Sequence, residues 1–125
     1  MRTFTVGEAA RQIGVSVDTL RYYEREQLLF TARTVSGHRR YGEDDLGWIR
    51  ILTCLRETGM PIRRMREFAA LVQQDESNIA QRVRLLESHR EEVLERMRAL
   101  EGNLAHVEGK IAHYRHRLLE RDGNM

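Results

Sequence analysis

Arginine, hydroxyl and aromatic side chains gather in two stretches near the start of the chain. One surrounds Arg21, and the other flanks a Ser-Gly pair, with no acid between Phe30 and Gly42. Arginine offers a bidentate fork that fits phosphate oxygens and guanine edges. We therefore expect nucleic-acid contacts from these stretches, through Ser16, Thr19, Arg21, Tyr22, Tyr23, Arg33, His38, Arg39, Arg40 and Tyr41.

Cys54 is the single thiol of the chain. A lone cysteine forms no intrachain disulfide and no cysteine-only metal site within one chain. Beside Ile51 and Leu55 it is either a small packed hydrophobe or a reactive thiol. Both interpretations stay open, and Cys54 is the candidate sensor.

Metal binding and catalysis are not favoured. Among the histidines of the C-terminal part, only His113 and His116 are close in register, and helical spacing predicts a solvated face for them. The chain has no glycine-rich phosphate loop, no Ser/His/Asp grouping and no paired carboxylates outside helix starts. We therefore predict no metal, no cofactor and no enzymatic activity.

Two short helices are expected to position the first stretch. Thr5 and Glu8 have capping-box spacing, and Gly14 ends the helix that they begin. Ser16 caps a second helix, which contains Arg21. Two helices joined by so short a turn describe a helix-turn-helix.

The second stretch is expected on a wing. Residues 30 to 41 predict a two-stranded ribbon that turns at Ser36 and Gly37. A third helix begins at the acids 43 to 45 and ends near Gly59, and Pro61 opens a fourth. The fold class is thus mainly α, with a winged helix-turn-helix head of four helices and a two-stranded wing over residues 1–74, followed by one long helix.

A heptad seam dominates residues 75–125, which we interpret as a hinge, a long coiled-coil dimerisation helix and a short tail. A helix from about 77 to 119 would be roughly 63 Å long, too long for the head to cover, so the seam needs a second chain. Charges flanking the seam favour parallel pairing. The seam residues of the predicted homodimer are Ile79, Val83, Leu86, Val93, Met97, Leu100, Leu104, Val107, Ile111, Tyr114 and Leu118.

Composition agrees with a nucleic-acid-binding head. The net charge is only +2, but residues 1 to 70 carry 12 arginines against nine acids. With no apolar stretch near the roughly 20 residues of a membrane span and no signal-peptide block, we expect a cytoplasmic protein without a membrane partner. Double-stranded DNA is the expected partner. The alternative is a coiled-coil interaction protein whose basic head binds an acidic protein.

Several segments resemble the MerR family of transcription regulators. They are Thr5-Val-Gly-Glu-Ala-Ala, Gly14-Val-Ser, Thr19-Leu-Arg-Tyr-Tyr-Glu and Ser36-Gly-His-Arg-Arg-Tyr. Two departures are Gln27, where the family usually has glycine after the second helix, and Phe30-Thr31 in place of a proline-containing start of the wing.

The resemblance implies an antiparallel dimer on a pseudo-palindromic promoter. It places Arg21 and Tyr23 at the major groove, with Ser16, Thr19 and Tyr22 beside them, and it places the phosphate contacts on the wing at Arg33, His38, Arg39 and Tyr41. It also implies that the regulator bends and untwists an overlong promoter spacer so that RNA polymerase can engage both promoter elements.

The chain resembles one branch of the family most. No cysteine pair lies near the end of the dimerisation helix, which distinguishes the chain from metal sensors. Its length, Cys54 on the third helix and the Lys110-Ile-x-x-Tyr-x-x-x-Leu segment are similar to the small thiol-sensing, aldehyde-responsive branch. This similarity implies a stress response in which Cys54 senses the aldehyde.

Overall fold

The protein is described from a computed structural model, covering residues 2–30, 32–33 and 39–123, without the side chains of the strand residues 32, 33 and 39. The described elements are β1 (Thr3–Phe4), α1 (Val6–Ile13), α2 (Val17–Arg25), β2 (Ala32–Arg33), β3 (Arg39–Gly42), α3 (Glu43–Glu57), α4 (Ile62–Gln73), a 3-10 turn (Glu76–Asn78) and α5 (Ile79–Gly123). The predicted mainly helical fold is confirmed. The chain divides into two compact units, Met1–Leu86, called the head below, and Glu87–Met125.

The capping box predicted for α1 is present. The Thr5 hydroxyl accepts from the Glu8 backbone N–H at 3.2 Å, and the Glu8 carboxylate accepts from the Thr5 N–H at 2.8 Å. The backbone hydrogen bond from Thr5, followed by that from its side chain, holds the pKa of Glu8 below its ordinary value. Gly14 ends α1 in the left-handed region, at φ 85°.

Serine also caps α2, as expected, but the end of this helix is unusual. The Ser16 hydroxyl accepts from the Thr19 N–H at 3.0 Å. Two residues beyond Arg25, Gln27 adopts φ 61°, a left-handed conformation that disfavours residues with a Cβ. The MerR family, which this chain resembles, usually has glycine at this position. Glutamine in its place therefore introduces backbone strain.

Replacing Gln27 with glycine is expected to raise the free energy of unfolding by roughly 0.5–1 kcal/mol, because glycine adopts positive φ without the steric penalty. Urea denaturation at one fixed protein concentration measures the change. The matched control, Gln12→Gly inside α1, should lower the free energy of unfolding by a similar amount. Equal losses in both variants would show that Gln27 is not strained.

The wing is part of a small antiparallel sheet with strand order β1-β3-β2. The wing pair aligns Ala32 with Arg40 and Arg33 with Arg39. β1 was not predicted, because two residues are too few to show an alternating pattern; it pairs Phe4 with Tyr41. The turn predicted at Ser36 and Gly37 lies outside the described residues.

The core of the head is formed by helices α1 to α4, by the strand residues Phe4 and Tyr41, and by the loop residues Leu28, Leu29 and Met60. Trp48 of α3 stacks on Phe68 of α4 with ring centroids 5.4 Å apart, and its indole N–H donates to the Leu28 carbonyl at 2.7 Å. The least exposed large side chains are Tyr23, Tyr41, Leu20, Leu28, Ile49, Leu52 and Met65. The Trp48 contacts join α3 to α4 and to the segment that follows α2, and Leu20 and Tyr23 bury one face of α2 in the same core, which leaves the opposite face to solvent.

α5 is a continuous helix of 45 residues, about 67 Å long. Its start belongs to the head, since Leu85 and Leu86 pack against the core, and the head extends past the domain boundary predicted at residue 74. Gly102 and Gly109 within this helix are not in close contact with other parts of the chain, since a Cβ added at either would meet no atom within 4 Å. None of the helices in the described ranges has the length and hydropathy to cross a membrane.

Candidate nucleic-acid interface

The start of α2 presents polar side chains to solvent. Ser16 and Arg21 are exposed, and Thr19 is half-buried with its hydroxyl 2.9 Å from that of Ser16. Arg21 lies 3.8 Å from Asp18, with both side chains more than half exposed. A solvated pair of this kind is worth little. The Arg21 guanidinium can therefore leave Asp18 and bind a phosphate or a base edge with little loss of free energy.

Tyr22 has a cationic neighbour that the sequence did not reveal. The Arg56 guanidinium lies 4.8 Å from the centroid of the half-buried Tyr22 ring, a cation–π arrangement. Arg56 also lines a surface depression together with Thr19 and Tyr23 of α2. Because α2 and α3 are far apart in the chain, local spacing carries no signal for this contact. It adds a positive charge beside α2.

Two tyrosines assigned to DNA contact by the sequence are buried instead. Tyr23 is 1% exposed, with its hydroxyl 3.2 Å from that of Thr53, and Tyr41 is 0% exposed and donates to the Glu24 carboxylate at 2.9 Å. Either ring would have to leave the core to touch DNA. Their burial favours a role in holding α2 in place, and the contacts expected of Tyr23 with the groove and of Tyr41 with phosphates stay predictions.

One arginine of the wing is bonded to the first strand. The half-buried Arg40 donates to the Thr3 hydroxyl from Nη2 at 2.9 Å and from Nε at 3.3 Å, which ties β3 to β1. Arg33 and Arg39 face each other in the register of the two wing strands. His38 lies outside the described residues. The phosphate contacts of Arg33, His38 and Arg39 therefore stay predictions.

Cys54 is exposed on α3 and carries a free thiol. The interpretation as a packed small hydrophobe does not fit this placement, since the side chains buried on that turn are Leu52 and Leu55. Within the described ranges, no group of three or more His, Cys, Asp or Glu could hold a metal ion.

The seam of α5 is an exposed apolar stripe within the chain. Leu86 and Val93 are half-buried, and Leu86 packs against the core of the head. The other predicted seam residues are between 42% and 69% exposed, namely Ile79, Val83, Met97, Leu100, Leu104, Val107, Ile111, Tyr114 and Leu118. So much apolar surface on one helix is typical of a protein interface. The homodimer itself stays a prediction.

Comparisons with known proteins agree with this geometry. A family model described as MerR HTH family regulatory protein matches residues 4–71. A Haemophilus influenzae protein described as an uncharacterized HTH-type transcriptional regulator is 35% identical over 113 residues, covering 90% of this chain and 84% of its own length.

Two solved structures are also similar. One is a MerR family transcriptional regulator from Listeria monocytogenes, at 32% identity and TM-score 0.89, covering 96% of this chain and 92% of its own. The other is HiNmlR, a MerR family regulator lacking the sensor domain, bound to promoter DNA, at 35% identity and TM-score 0.83, covering 91% of this chain and 87% of its own.

Proposed function

The chain belongs to the MerR family of helix-turn-helix regulatory proteins, which are DNA-binding transcription regulators, and we propose that it acts as a homodimer on a pseudo-palindromic promoter. The observation that carries the proposal is the solvent-facing start of α2, where Ser16, Thr19 and Arg21 are held by a buried core next to the wing. A helix fixed in this way can enter a major groove.

The mode of action is deformation of the promoter. Two heads joined through α5 would contact two half-sites at once, with the wings on the flanking backbone. Contacts spread in this way favour a bent and untwisted spacer, and the bend would let RNA polymerase engage both promoter elements. The similar HiNmlR structure, bound to promoter DNA, supports the DNA contact in this proposal.

Fluorescence anisotropy tests the proposal with two labelled duplexes, one carrying the region upstream of the chain's own gene and one with a scrambled sequence. We expect the upstream duplex to bind tighter by a factor of about 10³ or more, and the affinity for both duplexes to fall steeply with salt. Equal binding to both duplexes and to polyglutamate would favour the alternative, a basic head that binds an acidic protein.

We propose further that Cys54 senses reactive aldehydes. Its exposure on α3 supports access by an electrophile, and the similarity to the aldehyde-responsive branch supports the choice of ligand. The thiolate sulfur would add to the aldehyde carbon to give a hemithioacetal, with the carbonyl oxygen taking up a proton. The bulkier side chain would then alter the surface of α3, and we expect the response to follow from that change.

Cys54→Ser is expected to leave promoter affinity unchanged and to remove the response to an added aldehyde, because serine retains the volume but lacks the soft nucleophile. A transcription reporter driven by the upstream region measures the response, with Thr53→Ser on the preceding residue as the control. A full aldehyde response in the Cys54→Ser strain would exclude thiol sensing and leave the DNA-binding assignment intact.

A further inference from the structure

Side chains from the 3-10 turn and from the start of α5 bind the end of α4. Asn78, 6% exposed, donates from Nδ2 to the Leu71 carbonyl at 2.9 Å and to the Gln74 side-chain oxygen at 3.0 Å. Its own carbonyl accepts from Arg82 Nε at 2.7 Å. Both the nitrogen and the oxygen of the Asn78 side-chain amide therefore have partners within the joint between the two helices.

Arg82 completes this cluster. Its Nη2 donates to the carbonyls of Leu71 and Asp75, each at 3.2 Å. Carbonyls in the last turn of a helix have no partner within the helix, and a cation is favourable at that end. Arg82 and Asn78, called the joint pair below, thus both donate to the Leu71 carbonyl, which also accepts from the Gln74 N–H at 3.2 Å.

The backbone between α4 and α5 is also set by local bonds. The Ser77 N–H donates to the Asp75 carboxylate at 2.9 Å, and the Ser77 hydroxyl donates to the same oxygen. These bonds, with a smaller contribution from Arg82, hold the pKa of Asp75 below its ordinary value. The segment that the sequence predicts as a hinge is therefore a bonded turn.

The second turn of α4 is bonded to the residue that follows α2. Arg66 forms an ion pair with the Glu26 carboxylate, and its Nε donates to the Glu26 backbone carbonyl at 3.2 Å. Glu26 directly follows the last residue of α2. α4 therefore contacts the residue after the DNA-facing helix through Arg66 in its second turn, and contacts the start of α5 through its last turn, all within the head.

We propose that the joint pair sets the spacing between half-sites that the dimer accepts. The inference rests on the proposed function, in which two copies pair along α5. In such a dimer, the connection from one α2 to the other passes through both joints, so any rotation at a joint moves a recognition helix along the DNA. Half-site separation follows from the geometry of the dimer, and a fixed joint makes that separation selective. Arg82 and Asn78 are thus positioning residues that do not touch DNA.

Arg82→Ala tests the proposal. The duplexes carry the operator that footprinting locates upstream of the gene. Its central spacer is kept at native length, shortened by two base pairs or lengthened by two base pairs. Anisotropy gives the affinity for each duplex, and sedimentation confirms the dimer. We expect the wild-type protein to prefer the native spacer and Arg82→Ala to lose most of that preference, since the loosened joint adapts to each spacer. Binding of the single half-site should not change.

Arg84→Ala is the matched control, because Arg84 is an exposed arginine two positions along the same helix and outside the cluster. Arg82→Lys keeps the charge but loses the guanidinium fork that reaches both Asn78 and Leu71, so it should relax the spacing preference too. This variant decides the outcome if the alanine variant does not fold. A folded Arg82 variant with the wild-type preference, or an equal loss in Arg84→Ala, overturns the proposal. A wild-type protein that does not bind as a dimer would instead contradict the proposed function.

Discussion

Lysine at both Leu100 and Leu104 is expected to separate the dimer and to weaken promoter binding by about 100-fold or more, the loss that follows when two linked contacts become one. Leu100 is 69% exposed and Leu104 is 54% exposed in the single chain. The two lysines should therefore not lower the stability of the single chain. In a paired seam, the same lysines would be buried without partners, which opposes association.

Sedimentation at micromolar concentration gives the assembly state of this double variant, and anisotropy gives its affinity for the upstream duplex. Ala99→Lys combined with Ala105→Lys is the matched control, since both alanines are exposed neighbours of the seam that lie off it in heptad register. The control should remain dimeric and bind as the wild-type protein does. Separation by both pairs would show that added charge, not the seam, is responsible.

Arg21→Ala is expected to cost about 1–3 kcal/mol of discrimination between the upstream and scrambled duplexes, the range for a good bidentate contact to a base edge. Arg39→Ala should instead weaken both duplexes alike and reduce the salt slope by about one unit, because a phosphate contact carries no sequence information. The two arginines thus have different signatures in one anisotropy series over several salt concentrations.

Arg25→Ala, in the last turn of the same helix, is the control for Arg21. Arg25 is not among the α2 residues predicted at the groove, which are Ser16, Thr19, Arg21, Tyr22 and Tyr23, so Arg25→Ala should retain the discrimination between duplexes. If Arg21→Ala binds both duplexes as the wild-type protein does, α2 is not the recognition helix.

Features set by near neighbours in the chain could be predicted from the sequence. The capping box of Thr5 and Glu8, the Ser16 cap and the continuity of α5 all depend on spacings of three or four residues. The exposed apolar stripe of α5 also follows from its heptad pattern.

Features set by distant partners could not be predicted. Tyr23 looks like a polar residue of a recognition helix, but its hydroxyl lies against Thr53, 30 residues away. Tyr41 likewise donates to Glu24 across the core. The polar joint after α4 is an exception, because its bonds join residues only two to eleven apart; it looked like a hinge because three of these bonds go to backbone carbonyls, which have no sequence signature. Arg56 was missed for the same reason as the tyrosines, since its contact with Tyr22 joins two helices.

The central claim is that one symmetric dimer contacts two half-sites of a promoter. Footprinting on a DNA fragment that carries the region upstream of the chain's own gene tests it most directly. We expect two protected half-sites related by a dyad, with centres on one side of the duplex a whole number of helical turns apart. Both should disappear together in the Leu100→Lys, Leu104→Lys variant. A single protected segment without a dyad, or protection that persists in the separated variant, would contradict the account.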